Sequence, residues 1–266
     1  MTTFYRRIRP SGRPKPGTGD PERKKSLGQS FLEDKNILAL EARLAEPEGK
    51  RVLEIGPGDG RLTEALLALK PEKIIAVEKD ARFASLLRGK FSGRPVEIVE
   101  ADFLEMEPLT VDVVAGNIPY YISSDIVFRL RDFGFAHAIL MVQKEFAEKM
   151  AAPPGNRNYG RLSVTSQLAF TVEKVRPVLR HLFRPAPKVD SMIIRLTKTG
   201  FRPSALEENV IRYIFQHKNK TVRNALLDSK MFAKEELSAL GKYEKRRGVG
   251  LSKEECLVIA RLLEKA

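Results

Sequence analysis

From residue 51 to residue 143 the chain alternates short, β-favouring apolar runs with amphipathic stretches, and that alternation leaves few folds open. Strand-like runs fall at 51–55, 73–78, 96–101, 111–115 and 137–143; helical stretches fall at 61–70, 81–90 and 123–132, with a shorter connection at 103–108. Runs apolar on both faces are buried on both faces, and alternation with helices makes their sheet parallel. The expected fold is therefore α/β, a doubly wound Rossmann-like sheet covered on both sides. Two later β-like runs, 169–178 and 189–198, flank the Pro-punctuated segment 183–187 and suit an antiparallel edge. Beyond Lys198 the pattern turns helical, at 204–217, 220–228, 233–240 and 252–265. The expected division is an arm over 1–25, a principal domain over 26–198 and a small all-α domain over 199–266.

In open parallel sheets, ligands gather at the carboxyl ends of strands. The first strand here runs into Glu54, Ile55, Gly56, Pro57, Gly58, Asp59 and Gly60, a loop whose backbone can approach a ligand closely. A dinucleotide fingerprint would carry its third glycine at position 61, which is Arg61, so a nicotinamide or flavin cofactor is disfavoured. The second strand ends in Glu78, a carboxylate able to accept both hydroxyls of a ribose. Asp102 and Phe103 follow the third strand and suit the amino group and ring of an adenine. Asn117, Ile118, Pro119 and Tyr120 follow the fourth. Taken together, these strand ends fit an adenosine-bearing ligand.

Asn-Pro after a strand is most often an ordinary turn. Beside an adenosine site it suits methyl transfer to an amine. An amine conjugated to a purine has a delocalised lone pair and attacks poorly until it is aimed. The Asn117 side-chain carbonyl and the backbone carbonyl next to Pro119 could each take one N–H of a single amino group, and a Tyr120 ring could stack on the base. Such a site works by orientation and preorganised dipoles and needs no strong base.

Charge points to the partner. The net charge is +13, with +6 in residues 1–25 and +6 in residues 198–266, which leaves the middle at +1. A near-neutral body with basic ends fits a reaction module flanked by segments that grip a polyanion. Residues 1–25, rich in Arg, Pro and Gly, cannot bury enough surface to fold alone and are expected to be disordered in isolation. Cys256 is the only cysteine, which excludes an internal disulfide and a Cys-rich zinc site, and His137, His181 and His217 lack metal-ligand spacing. No apolar stretch reaches a membrane span and no charged-then-apolar leader is visible, so the expectation is a cytoplasmic protein without membrane contact. Nothing in the chain calls for an obligate assembly, and a monomer is expected.

From about Lys25 to its end, the chain resembles the ribosomal RNA small-subunit adenine dimethyltransferases, a family of Rossmann-like class I methyltransferases. The resemblance is carried by Leu27 to Leu32, by the loop Glu54 to Gly60, by Asp102 and Phe103, by Asn117 to Tyr120 with Ile122 and Ser123, and by Leu182 to Ser191. It implies S-adenosylmethionine as methyl donor and transfer of two methyls to N6 of each of two neighbouring adenosines in a hairpin near the 3′ end of small-subunit rRNA. It also implies a pre-assembled small subunit as partner and a part in subunit biogenesis. Carried onto matching positions, Gln29, Ser30 and Leu32 would border the donor. Gly56 and Gly58 would serve its methionine end, Glu78 its ribose, and Asp102 with Phe103 its adenine, with Glu54 also among the donor-binding residues. Asn117 would serve both donor and target, Pro119 would stand beside the amine, and Tyr120 and Phe183 would sandwich the extruded base. Ser30 stands where the family usually has Asn or His, and Ala186 replaces a common Pro. The resemblance makes RNA contact the expectation for Lys218, Lys220, Arg223 and the cluster Lys245, Arg246, Arg247. The related large-subunit methyltransferases share the site motifs, and an RNA-binding assembly factor or transcription factor on a retired methyltransferase fold is a further alternative.

Overall fold

The computed structural model describes residues 30–265. The basic arm over 1–25 and Gln29 lie outside the described residues.

The elements in chain order are β1 (Phe31–Leu32), α1 (Lys35–Ala45), β2 (Arg51–Ile55), α2 (Arg61–Leu67), β3 (Lys73–Glu78), α3 (Ala81–Lys90), β4 (Val96–Glu100), β5 (Val113–Asn117), α4 (Ser123–Arg129), β6 (His137–Gln143), α5 (Lys144–Met150), α6 (Arg161–Ala169), β7 (Phe170–Val178), β8 (Phe183–Arg184), β9 (Ser191–Lys198), α7 (Ala205–Gln216), α8 (Val222–Asp228) and α9 (Lys253–Glu264). Seven strands form one sheet in the order β4-β3-β2-β5-β6-β9-β7. The first five are mutually parallel, while β9 and β7 add the antiparallel edge. This is the doubly wound α/β sheet anticipated from the alternation.

Successive side chains of a strand point to opposite faces, so each run feeds two cores. Leu53, Ile55, Ile75, Val77 and Val114 enter one core together with Ile126 and Val127 of α4 and Met150 of α5. Val52, Ile74, Ala76, Val113 and Ala115 enter the other, against Leu38 and Ala42 of α1, Leu66 of α2 and Leu87 of α3. A third core joins Tyr159, Val164 and Leu168 to Val210, Ile214, Leu226, Leu240, Ile259 and Leu263, with Cys256 buried among them. The Tyr159 hydroxyl donates to the Leu251 carbonyl at 2.6 Å across this packing. The helices α7 and α9 start where the sequence places them because Ser204 and Ser252 open capping boxes with Glu207 and Glu255.

Several boundaries differ from expectation. The fourth strand covers Val113–Asn117 rather than 111–115: Asp112 is spent on the strand's entry, where its Oδ2 accepts the Arg51 N–H at 2.8 Å, and the ladder then runs on until Asn117 faces Met141. Asn117 thus belongs to the strand end. The stretch at 233–240 forms 3-10 turns over Glu236–Tyr243, kinked at Gly241. The helices α1, α5 and α6 were not anticipated. In α6 the residues Ser163, Thr165 and Ser166 blunt an apolar stripe, and tertiary bonds define the helix instead. The Ser163 hydroxyl donates to the Lys149 carbonyl, and the Gln167 amide donates to the carbonyls of Met150 and Ala152. Among the described residues no helix is long and apolar enough to cross a membrane.

Candidate active site

At the carboxyl edge of the sheet the loops after β2, β3, β4 and β5 enclose a groove. A cavity of about 130 Å³ is bordered by Ser30, Leu32, Glu54, Gly56, Gly58, Glu78, Asn117, Pro119, Tyr120 and Phe183. A second, of about 430 Å³, is bordered by Asp102, Phe103 and Tyr121 and shares Gly56, Glu78 and Pro119 with the first. The shared residues set the two side by side along the strand ends. Every expected site residue within the described part of the chain borders at least one of them.

The glycine loop owes its path to backbone freedom that other residues lack. Gly56 has φ +67°, and a Cβ placed there would meet nothing within 4 Å, so the space before it is open to a ligand. Gly58 has φ +57° and sits against the Phe31 ring, where a Cβ would come within 2.6 Å. Glu78 locks the loop from the neighbouring strand: its Oε2 accepts the Gly58 N–H at 3.1 Å and its Oε1 the Asp80 N–H at 2.9 Å. Burial raises the Glu78 pKa, and these two N–H groups oppose that rise. Asp102 is held below the ordinary carboxylate value, chiefly by the Lys79 ammonium 2.6 Å away. Its second oxygen accepts the Leu104 N–H at 3.0 Å. The Phe103 ring stacks on Phe133 at 4.9 Å and is 5% exposed, so it serves the core as well as the groove wall.

After β5 the chain turns through Pro119 into a 3-10 turn over Tyr120–Ile122. The Pro119 carbonyl accepts from the Ser123 hydroxyl at 3.1 Å and from the Ile122 N–H at 3.3 Å, which leaves the Ile118 carbonyl, preceding the proline ring, as the backbone acceptor of the motif. Tyr120 is tethered by a 2.5 Å hydrogen bond between its hydroxyl and that of Ser191, the first residue of β9. Phe183 reaches the groove because β8 pairs with β1, setting Phe183 opposite Leu32. The ring is buried at 3% exposure on the wall the two strands share.

Beneath the groove lie two acids that form no ion pair among the described residues. Glu54 is 1% exposed, and the polar group that most eases its burial is the equally buried Thr63 hydroxyl beside it, which lies outside good hydrogen-bond geometry. Glu41 of α1, which the sequence reading missed, is 0% exposed. Burial pushes both carboxyls up to about 8, and the neighbouring Glu54 raises Glu41 further while its bond with Asn117 opposes the rise. The Asn117 amide is assigned with its nitrogen toward Glu41, 2.8 Å from Oε1 and 3.0 Å from Oε2; the reverse orientation would set the amide oxygen against the ionised carboxylate. A signal for Glu41 exists in the sequence, since Leu38, Glu41, Ala42 and Ala45 follow the helical stripe that should be wholly apolar.

Of the basic C-terminal residues, several are already engaged within the fold. Arg246 pairs with Glu255 at 3.1 Å and donates to the Gly250 carbonyl at 2.7 Å, Arg223 pairs with Glu244 and Lys220 with Asp228. Lys245 and Arg247 are exposed.

The family described as ribosomal RNA adenine dimethylase matches residues 21–265. A protein of Methanopyrus kandleri named "Probable ribosomal RNA small subunit methyltransferase A" is 46% identical over 213 residues, covering 77% of this chain and 76% of that protein. A ribosomal RNA small subunit methyltransferase A from Onion yellows phytoplasma is 37% identical over 226 residues, covering 80% and 84%. Among solved structures, a dimethyladenosine transferase from Plasmodium falciparum superposes with a TM-score of 0.78 at 30% identity, covering 88% of this chain and 98% of that one. The 23S rRNA methyltransferase ErmE superposes at 0.67 with 32% identity, covering 88% and 99%. The sheet with its strand-end groove and these matches agree, and the chain belongs to the ribosomal RNA adenine dimethylase family of Rossmann-like methyltransferases.

Proposed function

We propose that the protein transfers methyl groups from S-adenosylmethionine to N6 of two adjacent adenosines in a hairpin near the 3′ end of small-subunit rRNA, acting as a monomer in the cytoplasm on a pre-assembled small subunit and contributing to that subunit's biogenesis. The observation that carries this reading is the pair of adjacent cavities at the strand ends, with Asn117 to Tyr120 bordering the first and Pro119 bordering both.

The residues fit such a donor. The Glu54 carboxylate, which forms no ion pair among the described residues, suits a cationic methionine end, and the open space before Gly56 admits it without a side chain in the way. Glu78 would accept from ribose hydroxyls with lone pairs left over from its two backbone bonds. Asp102, bound by Lys79 and the Leu104 N–H among the described residues, would accept from an adenine amino group in the wider cavity. Gln29, Ser30 and Leu32 would close the near side. When bound, the donor supplies an electrophilic methyl group on a sulfonium.

The protein's contribution is aim. The Asn117 amide oxygen and the Ile118 carbonyl each take one N–H of the target amine, drawing its lone pair out of conjugation and toward the donor. Tyr120 holds the base by stacking, its ring fixed by the bond to Ser191. Phe183 forms the other side of the base site, and the stacking offsets the cost of extruding the base. The helices over 199–266 grip the RNA backbone.

Incubation with labelled donor and unmethylated small-subunit particles is expected to yield dimethyladenosine at two neighbouring positions. No dimethyladenosine across a range of salt and magnesium would refute the assignment, and label confined to large-subunit RNA would move the protein to the related large-subunit methyltransferases. Replacing Lys245 and Arg247 by alanine should reduce the slope of log affinity against log salt by about 1 to 2 without changing donor binding. Arg246 is left intact because its pairing with Glu255 supports the fold. An unchanged slope would make Lys245 and Arg247 plain surface.

A further inference from the structure

One acid interrupts the buried stripe of α1. Glu41 shares that stripe with Leu38, Ala42 and Ala45, and among the described residues no ion pair neutralises it. Burying an acid without a countercharge costs several kcal/mol, whereas leucine or isoleucine would fill the same place at no such cost. What the acid gains is a contact with a single polar side chain, the Asn117 amide, whose nitrogen lies within reach of both its oxygens.

We propose that Glu41 is a positioning residue for methyl transfer: by accepting from the Asn117 amide nitrogen beneath the groove, it turns the amide oxygen toward the cavity and the incoming amine. This rests on the methyltransferase reading above. An untethered asparagine amide populates two orientations related by a half turn. With oxygen outward it accepts an N–H of the target; with nitrogen outward it sets donor against donor and repels it. A carboxylate on the buried side decides between them through charge-assisted hydrogen bonds and polarises the amide so that its oxygen becomes a better acceptor.

The other charged groups around α1 are occupied elsewhere. On α2, Arg61 pairs with Glu33 and Asp59, and Glu64 pairs with Lys90. On β6, His137 faces Glu46 and Arg195, and β5 carries no charged residue. Glu54 on β2 is the charged neighbour whose field reaches Glu41. Ionised Glu41 accepts only, and holds the amide one way. Protonated, it can also donate to the amide oxygen, and its grip loses direction. Turnover should therefore rise with pH as Glu41 ionises.

The test compares Glu41→Leu and Glu41→Gln in the full-length protein, with S-adenosylmethionine and unmethylated small-subunit particles. Leucine should lower kcat about 10- to 100-fold with both KM values within about threefold of the parent, since the loss is one of orientation. Glutamine, whose carbonyl can accept one amide N–H, should keep kcat within about fivefold and lose the rise with pH. Parental kcat in the leucine variant, or glutamine as damaging as leucine, overturns the proposal. Should the leucine variant fail to fold, the glutamine pH profile decides: a rise like the parent's overturns it. The Asn117 side-chain amide resonance gives a readout independent of catalysis. It should sit downfield and exchange slowly in the parent, and shift in both variants. An Asn117 resonance indifferent to Glu41 removes this proposal alone, while an inactive parent removes the functional reading.

Discussion

Replacing Asn117 by alanine lowers kcat for adenine methylation by about 100- to 1,000-fold and leaves RNA affinity within about threefold, because the side chain acts on the reacting amine and not on phosphates. The expected size follows from what is removed: one preorganised acceptor at the point where charge develops, in a site where the remaining acceptor, the Ile118 carbonyl, can hold only one N–H. Donor affinity should fall modestly, since Asn117 also borders the cavity assigned to the donor. Stability should fall by about 1–3 kcal/mol, the cost of leaving buried Glu41 without its partner. Single-turnover rates together with RNA binding at matched salt separate these effects. A loss of RNA affinity as large as the loss of rate would place Asn117 in the RNA-gripping surface and defeat the mechanism.

The second large effect is on stability. Between pH 6.5 and 9 the unfolding free energy of the donor-free protein should fall by about 2 kcal/mol for each of the two buried carboxyls, and the double variant Glu41→Gln, Glu54→Gln should lose most of that fall. The sign follows from the protons held by each state. An unfolded glutamate releases its proton near 4.5, whereas Glu41 and Glu54 in the fold keep theirs until about 8. Across that interval the folded state binds more protons, so stability is full below pH 4.5 and drains away as pH rises to about 8. Moving one carboxyl over the whole interval is worth about 5 kcal/mol, of which the window above 6.5 captures the upper part. The window leaves out two opposing contributions, while Lys198, whose pKa burial lowers, still opposes the fall from the alkaline side. His137, which burial holds below 6.5, adds stability only as pH rises to that value, and Asp102, held down by Lys79, acts below its ordinary 3.8. Urea unfolding at several pH values measures the difference. A parent whose stability is flat from 6.5 to 9 would show that both acids are ionised in the fold.

Much of the architecture was legible because strands and capped helices carry local signals. Residues 51–55 and 73–78 alternate between two cores with the period of two that a pleated strand imposes, and both became strands at those positions. Ser204 with Glu207 and Ser252 with Glu255 announce helix starts through bonds between residues three apart. The groove was legible for a related reason. In a parallel sheet every strand end faces one edge, so ordering Glu54, Glu78, Asp102 and Asn117 along the chain already places them together. Where local signals were weak the reading failed. The helix α6, rich in Ser and Thr, is held by the bonds of Ser163 and Gln167 to carbonyls in another segment.

Which backbone runs extended, which coils and which residues meet at the sheet edge follow from side-chain periodicity and strand direction, interactions that act over a few neighbouring residues. Three-dimensional packing was needed for the rest: the pairing of β1 with β8 that brings Phe183 to the groove, the tie of Arg246 to Glu255, and above all the seating of Glu41 under Asn117. Desolvation and the field of a neighbouring charge arise from whatever the folded chain stacks around a group. An acid on an apolar helical stripe is therefore an anomaly in the text of the chain, and it becomes a hand on the Asn117 amide once α1 lies against the sheet.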